Sequence, residues 1–209
     1  MNRLISILYV LITITSISQD FEGLISYKIT HTSLDSTINE IATMPTKLDF
    51  YISGELARID QTTKIGTQTT VIDTLLKRNI LLINLMNKKF GIILNDNDTN
   101  DIENIIYTEE SEEFLGMECK KAIMNSINKK TNRSTTSTIY YTNKIDHSYN
   151  INFKKLKGFP IYYEIISDNI ISTYLAVEMK KKNIDPKIFE IDNNTSIYKM
   201  EEFKALMTQ

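Results

Sequence analysis

Apolar and polar residues alternate along most of this chain. In Ile25-Ser26-Tyr27-Lys28-Ile29-Thr30 every second side chain is apolar, the period of a strand with one face on a core and one in water. Leu48-Asp49-Phe50-Tyr51-Ile52 repeats the pattern, Ser53-Gly54-Glu55 reads as a turn, and Leu56-Ala57-Arg58-Ile59-Asp60 as the returning strand. Lys64 to Thr74 is rich in β-branched residues and predicts another strand. Ile80 to Met86 is apolar on both faces, Asn87-Lys88-Lys89 turns it, and Phe90 to Leu94 returns. A strand that is apolar on both sides has to be covered on both sides. This hairpin therefore predicts something packed on the second face of the sheet, and a helix would serve.

Asn95 to Glu113 reads as an acidic connector with a short strand at Ile105-Ile106-Tyr107. Strands follow over Cys119–Ile127, Thr136–Thr142, Ile161–Ile166 and Ser172–Lys181, with turns at strand spacing, the sign of an antiparallel meander. Two short helices are expected. Leu34, Ile38 and Ile41 fall at helical spacing before Pro45, a helical insertion near 33–45; Met200, Phe203 and Leu206-Met207 do the same near 198–207, after the cap-like Asn194-Thr195-Ser196. The fold class is mainly β with minor α.

The first residues have another character. Met1-Asn2-Arg3 is basic, Leu4 to Ile17 is apolar, and Ser16 and Ser18 are small, the layout of a signal peptide cut after Ser18. The uncharged run Leu4 to Gln19 is sixteen residues. At about 1.5 Å per residue it reaches roughly 24 Å, short of a hydrocarbon core of roughly 30 Å. The expectation is a signal over 1–18 and a single β-rich domain over 19–209, exported to the periplasm or beyond, with no stable membrane span. Phe21-Glu22-Gly23 starts the first strand just past the cut, at a sheet edge. Cys119 is the one cysteine, so an exported domain has to stand without an internal disulfide.

Charge and motifs exclude more than they propose. Net charge is −2, which makes no case for nucleic acid; Lys154-Lys155 and Lys180-Lys181-Lys182 read as solvated strand ends. Nine acids and no Lys or Arg lie between Asn95 and Glu118, whereas Cys119 to Lys187 carries thirteen basic residues against five acids. These are solvated faces or an electrostatic docking surface. His31 and His147 lie far apart, with no triad spacing around either. Asp96-x-Asp98-x-Asn100 opens like a calcium loop, but the sixth position is Asp101 and the twelfth Tyr107, so it fails as an EF-hand. No zinc spacing and no phosphate-binding glycine loop is present. No enzyme, cofactor or metal is expected.

Three stretches carry a resemblance: Leu115-Gly116-Met117-Glu118-Cys119-Lys120-Lys121-Ala122, then Ile139-Tyr140-Tyr141-Thr142, then Lys157-Gly158-Phe159-Pro160-Ile161-Tyr162-Tyr163-Glu164. Their order resembles the exported bacterial domain of unknown function 4412 family and its sibling named after a Gly-Leu-Pro-Gly-Leu-Ile motif. The resemblance implies a lipoprotein-carrier-like fold: a strongly curved antiparallel sheet, an incomplete barrel with short helices covering the open side. On such a sheet the candidate concave face comprises Phe50, Ile52, Leu81, Ile83, Leu85, Ile92, Tyr163 and Leu175. Two functions of different class follow. One is a non-enzymatic envelope protein holding a hydrophobic small molecule or lipid in that concavity. The other is a structural or interaction module, with a filled core, that docks an envelope protein. An apolar pocket of several hundred Å³ favours the first; a filled interior with an exposed edge favours the second.

Overall fold

The computed structural model of the chain describes residues 21–34, 40–64, 66–85, 88–94, 102–128, 132–167 and 169–208. The expected signal over 1–18 and the calcium-like Asp96-x-Asp98-x-Asn100 lie outside the described residues. The strands are β1 (Gly23–Ser33), β2 (Lys47–Ser53), β3 (Leu56–Thr63), β4 (Gly66–Asp73), β5 (Arg78–Leu85), β6 (Lys88–Leu94), β7 (Ile102–Phe114), β8 (Met117–Asn128), β9 (Arg133–Thr142), β10 (Phe159–Ser167), β11 (Ile170–Lys181) and β12 (Ser196–Lys199). One α-helix follows, α1 (Met200–Met207). The strands form one open sheet in the order β12-β6-β5-β4-β3-β2-β1-β11-β10-β9-β8-β7. All pairings are antiparallel except β12 on β6, which is parallel.

The mainly β class holds, and the sheet does not close into a barrel. The first strand is not at an edge. β1 sits in the middle, pairing with β2 on one side and β11 on the other. It joins two antiparallel meanders, β2 to β6 and β7 to β11. Gly23 makes the closest of these approaches possible. A Cβ there would lie 2.0 Å from the Lys180 carbonyl oxygen, on a backbone with φ of +153°, a conformation L side chains rarely adopt.

The front face carries the core. Its cross-sheet register runs Ile25–Phe50–Ile59–Thr70–Leu81–Ile92 from β1 to β6. Ile25, Phe50, Ile59 and Ile92 are buried, each worth roughly 1.5–3 kcal/mol of transfer free energy. Over this face lies the irregular segment from Asn143 to Gly158, a plug between β9 and β10. Its Ile145, Tyr149, Phe153 and Leu156 are buried. Asn150 ties the plug's turn, its Nδ2 donating to Phe153 O at 2.9 Å and its Oδ1 accepting from Phe153 N at 3.0 Å.

The doubly apolar hairpin β5–β6 is covered on both sides, though not as expected. The helix is on the front, where Phe203 of α1 packs on Phe90 with ring centroids 5.6 Å apart. The back is crossed by the irregular strap from Lys182 to Thr195, with Ile184 and Phe189 buried. Sheet order imposes the strap: β11 lies beside β1 and β12 lies beyond β6, so the connection has to traverse the sheet. Of the predicted helical insertion near 33–45, residues 35–39 lie outside the described residues; those described at its two ends continue the strand to Ser33 and form a 3-10 helix at Glu40–Thr43. From Ile102 on, the acidic connector is instead a thirteen-residue strand, β7, because pairing with β8 lays Ile105 against the core; residues 95–101 lie outside the described residues.

β7 and β8 meet in the two-residue turn Leu115-Gly116, both with positive φ, +51° and +72°, as a type I′ turn requires. Leu115 is 42% exposed and half of that strained pair. Leu115→Asn therefore raises stability by up to about 1 kcal/mol. Gly23→Ala lowers it by roughly 2–4 kcal/mol. Urea unfolding of the two variants beside the parent checks both signs.

Candidate functional site

The middle of the concave front face is filled by side chains. Phe50 meets Phe159 edge-on at 5.2 Å, Phe153 of the plug meets Tyr163 at 5.1 Å, and Tyr163 stacks on Tyr174 at 4.4 Å. Tyr27 donates its hydroxyl to Pro160 O at 2.6 Å, so its polar tip is satisfied inside the core. The space left among the core side chains under the plug is about 20 Å³, lined among others by Tyr27, Leu48, Phe50, Ile59 and Tyr163. That is room for about one water.

Of the eight residues expected to line a cavity, Phe50, Ile52 and Tyr163 are in this core, at most 6% exposed. Ile92 is buried, and Leu81 and Ile83 are half-buried, on the part of the front face that runs toward α1. Leu85 is the last residue of β5, paired with Lys88. Leu175 is misplaced by the sequence pattern. Its neighbour Tyr174 packs on the core, and successive strand residues point to opposite faces, so Leu175 belongs to the back. Two larger hollows are open to solvent: one of about 520 Å³ at the end of the sheet, lined by Thr63, Gln68, Leu82, Asn84 and the expected Ile83, and one of about 430 Å³ at the flank of the plug, lined by Ile72, Lys77, Asn79, His147 and Lys154.

The residues with chemistry do not converge. His31 Nε2 donates to Pro45 O at 2.7 Å and its Nδ1 bonds Ser172 Oγ at 2.8 Å. His147 is exposed, 3.5 Å from Asp146. Cys119 is fully buried, and burial pushes its thiol up. Among the described residues no three His, Cys, Asp or Glu side chains group as a metal site. None of their helices is long and apolar enough to cross a membrane.

The back face has a polar brace and a gap. Arg58 Nε lies 2.9 and 3.1 Å from the two Asp60 carboxylate oxygens, Thr69 Oγ1 donates to Asp60 Oδ1 at 2.6 Å, and Arg58 Nη1 reaches across to the strap at Ile188 O, 2.8 Å. Beside this brace, between strap and sheet, is a space of about 230 Å³. Its walls are Leu56, Val71, Ile80, Phe189, Ile191 and Ile197, and its polar lining residues are Asp73 and Arg78.

The remaining feature is an edge. Among the described residues β7 ends the sheet and pairs only with β8. It carries Glu103, Glu109, Glu110, Glu112 and Glu113, and no Lys or Arg. Glu110 pairs with Lys121 at 2.6 Å and Glu103 with Lys155 at 3.4 Å. At its C-terminal end Phe114, Tyr140 and Tyr162 form a half-buried three-ring cluster with centroids 5.2 to 5.8 Å apart. Burial and then the hydrogen bond to Glu164 push the Tyr162 phenol up. The acidic run was legible in the sequence; that it is a strand was not, because Thr108 to Glu113 has little β-propensity of its own.

No family model matches the chain, and no curated protein matches it. The resemblance to the domain of unknown function 4412 family therefore rests on its motifs alone. Among solved structures, the chain is similar to PNGF-II in two crystal forms. One aligns with a TM-score of 0.60 at 16% identity, over 90% of this chain and 34% of that one. The other aligns with a TM-score of 0.59 at 14% identity, over 90% and 33%. This chain spans about a third of the length of PNGF-II. At such identity the likeness is one of fold.

Tyr27 and Tyr163 are buried, and that burial raises both phenols well above the usual tyrosine value. The folded state holds these protons more tightly than the unfolded chain. Their stabilising effect is complete below pH of about 10 and is lost as pH climbs beyond it, by up to about 1.4 kcal/mol per pH unit for each. Alkaline titration followed by tyrosinate absorbance and circular dichroism should show the last tyrosines ionising together with unfolding.

Proposed function

We propose that this chain is a non-catalytic, exported interaction module that docks an extended, basic segment of a partner protein along β7. The observation that carries this is the pairing of an apolar core filled under the plug, with about 20 Å³ left among its side chains, and a thirteen-residue strand bonded, among the described residues, on one side only. A carrier needs an enclosed apolar room of about 300 Å³ or more for its ligand, and the two hollows of that size are open to solvent; an unpaired strand edge is a template for another strand. Export is supported by the basic, apolar and small-residue order of residues 1–18.

Charge selects the partner. Directly opposed like charges destabilise a strand pair, so two β7 edges repel one another and an acidic segment is rejected. The shift in register between Tyr107 and Ser111 twists the edge and limits indiscriminate pairing. A lysine- or arginine-bearing strand meets the glutamates and, near Phe114 and Tyr140, aromatic rings that hold cations.

The test uses two fluorescent peptides of equal length, alternating Lys-Val and alternating Glu-Val, titrated by anisotropy. The basic peptide binds, binding weakens as salt is raised, and hydrogen exchange slows along β7. Replacing Glu109, Glu112 and Glu113 by Lys weakens it by at least about tenfold. Equal binding of both peptides, or indifference to the triple replacement, overturns the proposal.

A further inference from the structure

We infer that the gap under the strap is a binding site for a small apolar molecule bearing a carboxylate. The site is independent of β7 and lies on the opposite face from the plugged concavity.

The strap is pinned on either side of the gap. Arg58 Nη1 holds Ile188 O at 2.8 Å, and Asp192 pairs with Lys89 Nζ at 2.5 Å. At Gly91 the contact is tight: a Cβ there would come within 3.1 Å of Ile80 Cγ2 and 3.3 Å of Ile197 Cγ1. The chain that follows β11 is thus held against the sheet at these points and stands off between them, leaving about 230 Å³. Where the strap is pinned it meets the sheet directly, so the space is a local feature of this crossing.

Size and lining define the ligand. An apolar cavity of about 150 Å³ suffices for benzene; this one takes a single ring or a short alkyl chain, and no paired acyl tails. Val71, Ile80 and Phe189 are buried at its wall, each below 9% exposure, and offer nothing to a polar body. Arg78 supplies the polar anchor. It is exposed, and no hydrogen bond or ion pair engages its guanidinium among the described residues. A guanidinium presents its donors in the fork that matches a carboxylate. Asp73 is the one acid in the lining. It faces Arg78 across the β4–β5 pair, and its Oδ1 is taken by Leu76 N at 2.8 Å. It repels an anion not seated on Arg78, which restricts the headgroup to that side.

The test titrates the full chain with sodium octanoate and, separately, with 1-octanol, by calorimetry and amide chemical shifts. Octanoate binds roughly tenfold tighter than octanol, and the shifts centre on Ile80, Phe189 and Ile197. Arg78→Gln abolishes the preference and leaves octanol binding unchanged. Ile80→Phe fills the gap and abolishes both; Ile197→Phe does the same from the strap side if the first variant fails to fold. No binding of either probe, equal binding of the two, binding that survives both filling variants, or shifts centred on Phe50 and Phe159 each overturns the inference. Charge reversal on β7 leaves octanoate binding unaffected, so failure here and failure of the docking proposal are separate results.

Discussion

The pairing of β1 with β11 is the constraint on which the rest of this structure depends. Gly23 opposes Lys181 and Ser33 opposes Ile170, so the chain closes on itself almost end to end before the sheet exists as one body. Such non-local pairing is entropically costly and slow to form. It is possible at its N-terminal end because residue 23 has no Cβ to meet the Lys180 carbonyl. With β1 between β2 and β11, the two meanders become a single sheet with a shared front face. Without that seam, each half has an apolar face and nothing to complete it.

Two irregular segments follow from the same placement. The front face of a curved sheet this wide needs a cover, and the connection between β9 and β10 supplies it with Ile145, Tyr149, Phe153 and Leu156. Tyr149 donates its hydroxyl to Gly54 O and Tyr107 accepts from Lys157 N at 3.1 Å, so the plug is tied to both meanders. The back needs a cover only where β5 and β6 are apolar on both sides, and the strap crosses there on its way to β12. Neither cover is an α-helix; each holds one short 3-10 helix, at His147–Tyr149 and Pro186–Phe189. Buried side chains at irregular spacing and backbone groups bonded locally, as by Asn150 and Asp185, achieve the same exclusion of water.

The two ends of the sheet differ in a way that bears on function. At one end β12 is four residues long and runs directly into α1, a short, protected edge. At the other, β7 is long and open, guarded by glutamates and a register shift. Edge charges and bulges guard against aggregation, and the same devices select which strand can add. The core filled under the plug shifts the weight of the functional reading from the concavity to this edge and to the strap gap behind β3 to β5.

Much of the sheet was readable from period-two alternation: Ile25 to Ile29, Leu48 to Ile52 and Leu56 to Ile59 alternate because one side of each faces a core. The need to cover β5–β6 on both sides was readable for the same reason, as was the C-terminal helix from Met200 and Phe203. Other features depended on distant partners. β7 is a strand because β8 offers it a ladder, not because Thr108 to Glu113 favours one. Phe153 and Leu156 are core because β1, β2 and β10 leave a concavity that they fill, and Leu175 lies on the back because Tyr174 is claimed by Tyr163. Sequence by itself determined which residues alternate, which segments are apolar, and where charge accumulates, since these are local properties of side chains. Tertiary structure alone decided strand order, the plug, the strap and its gap, because each is set by which distant backbones pair and by the space their pairing leaves.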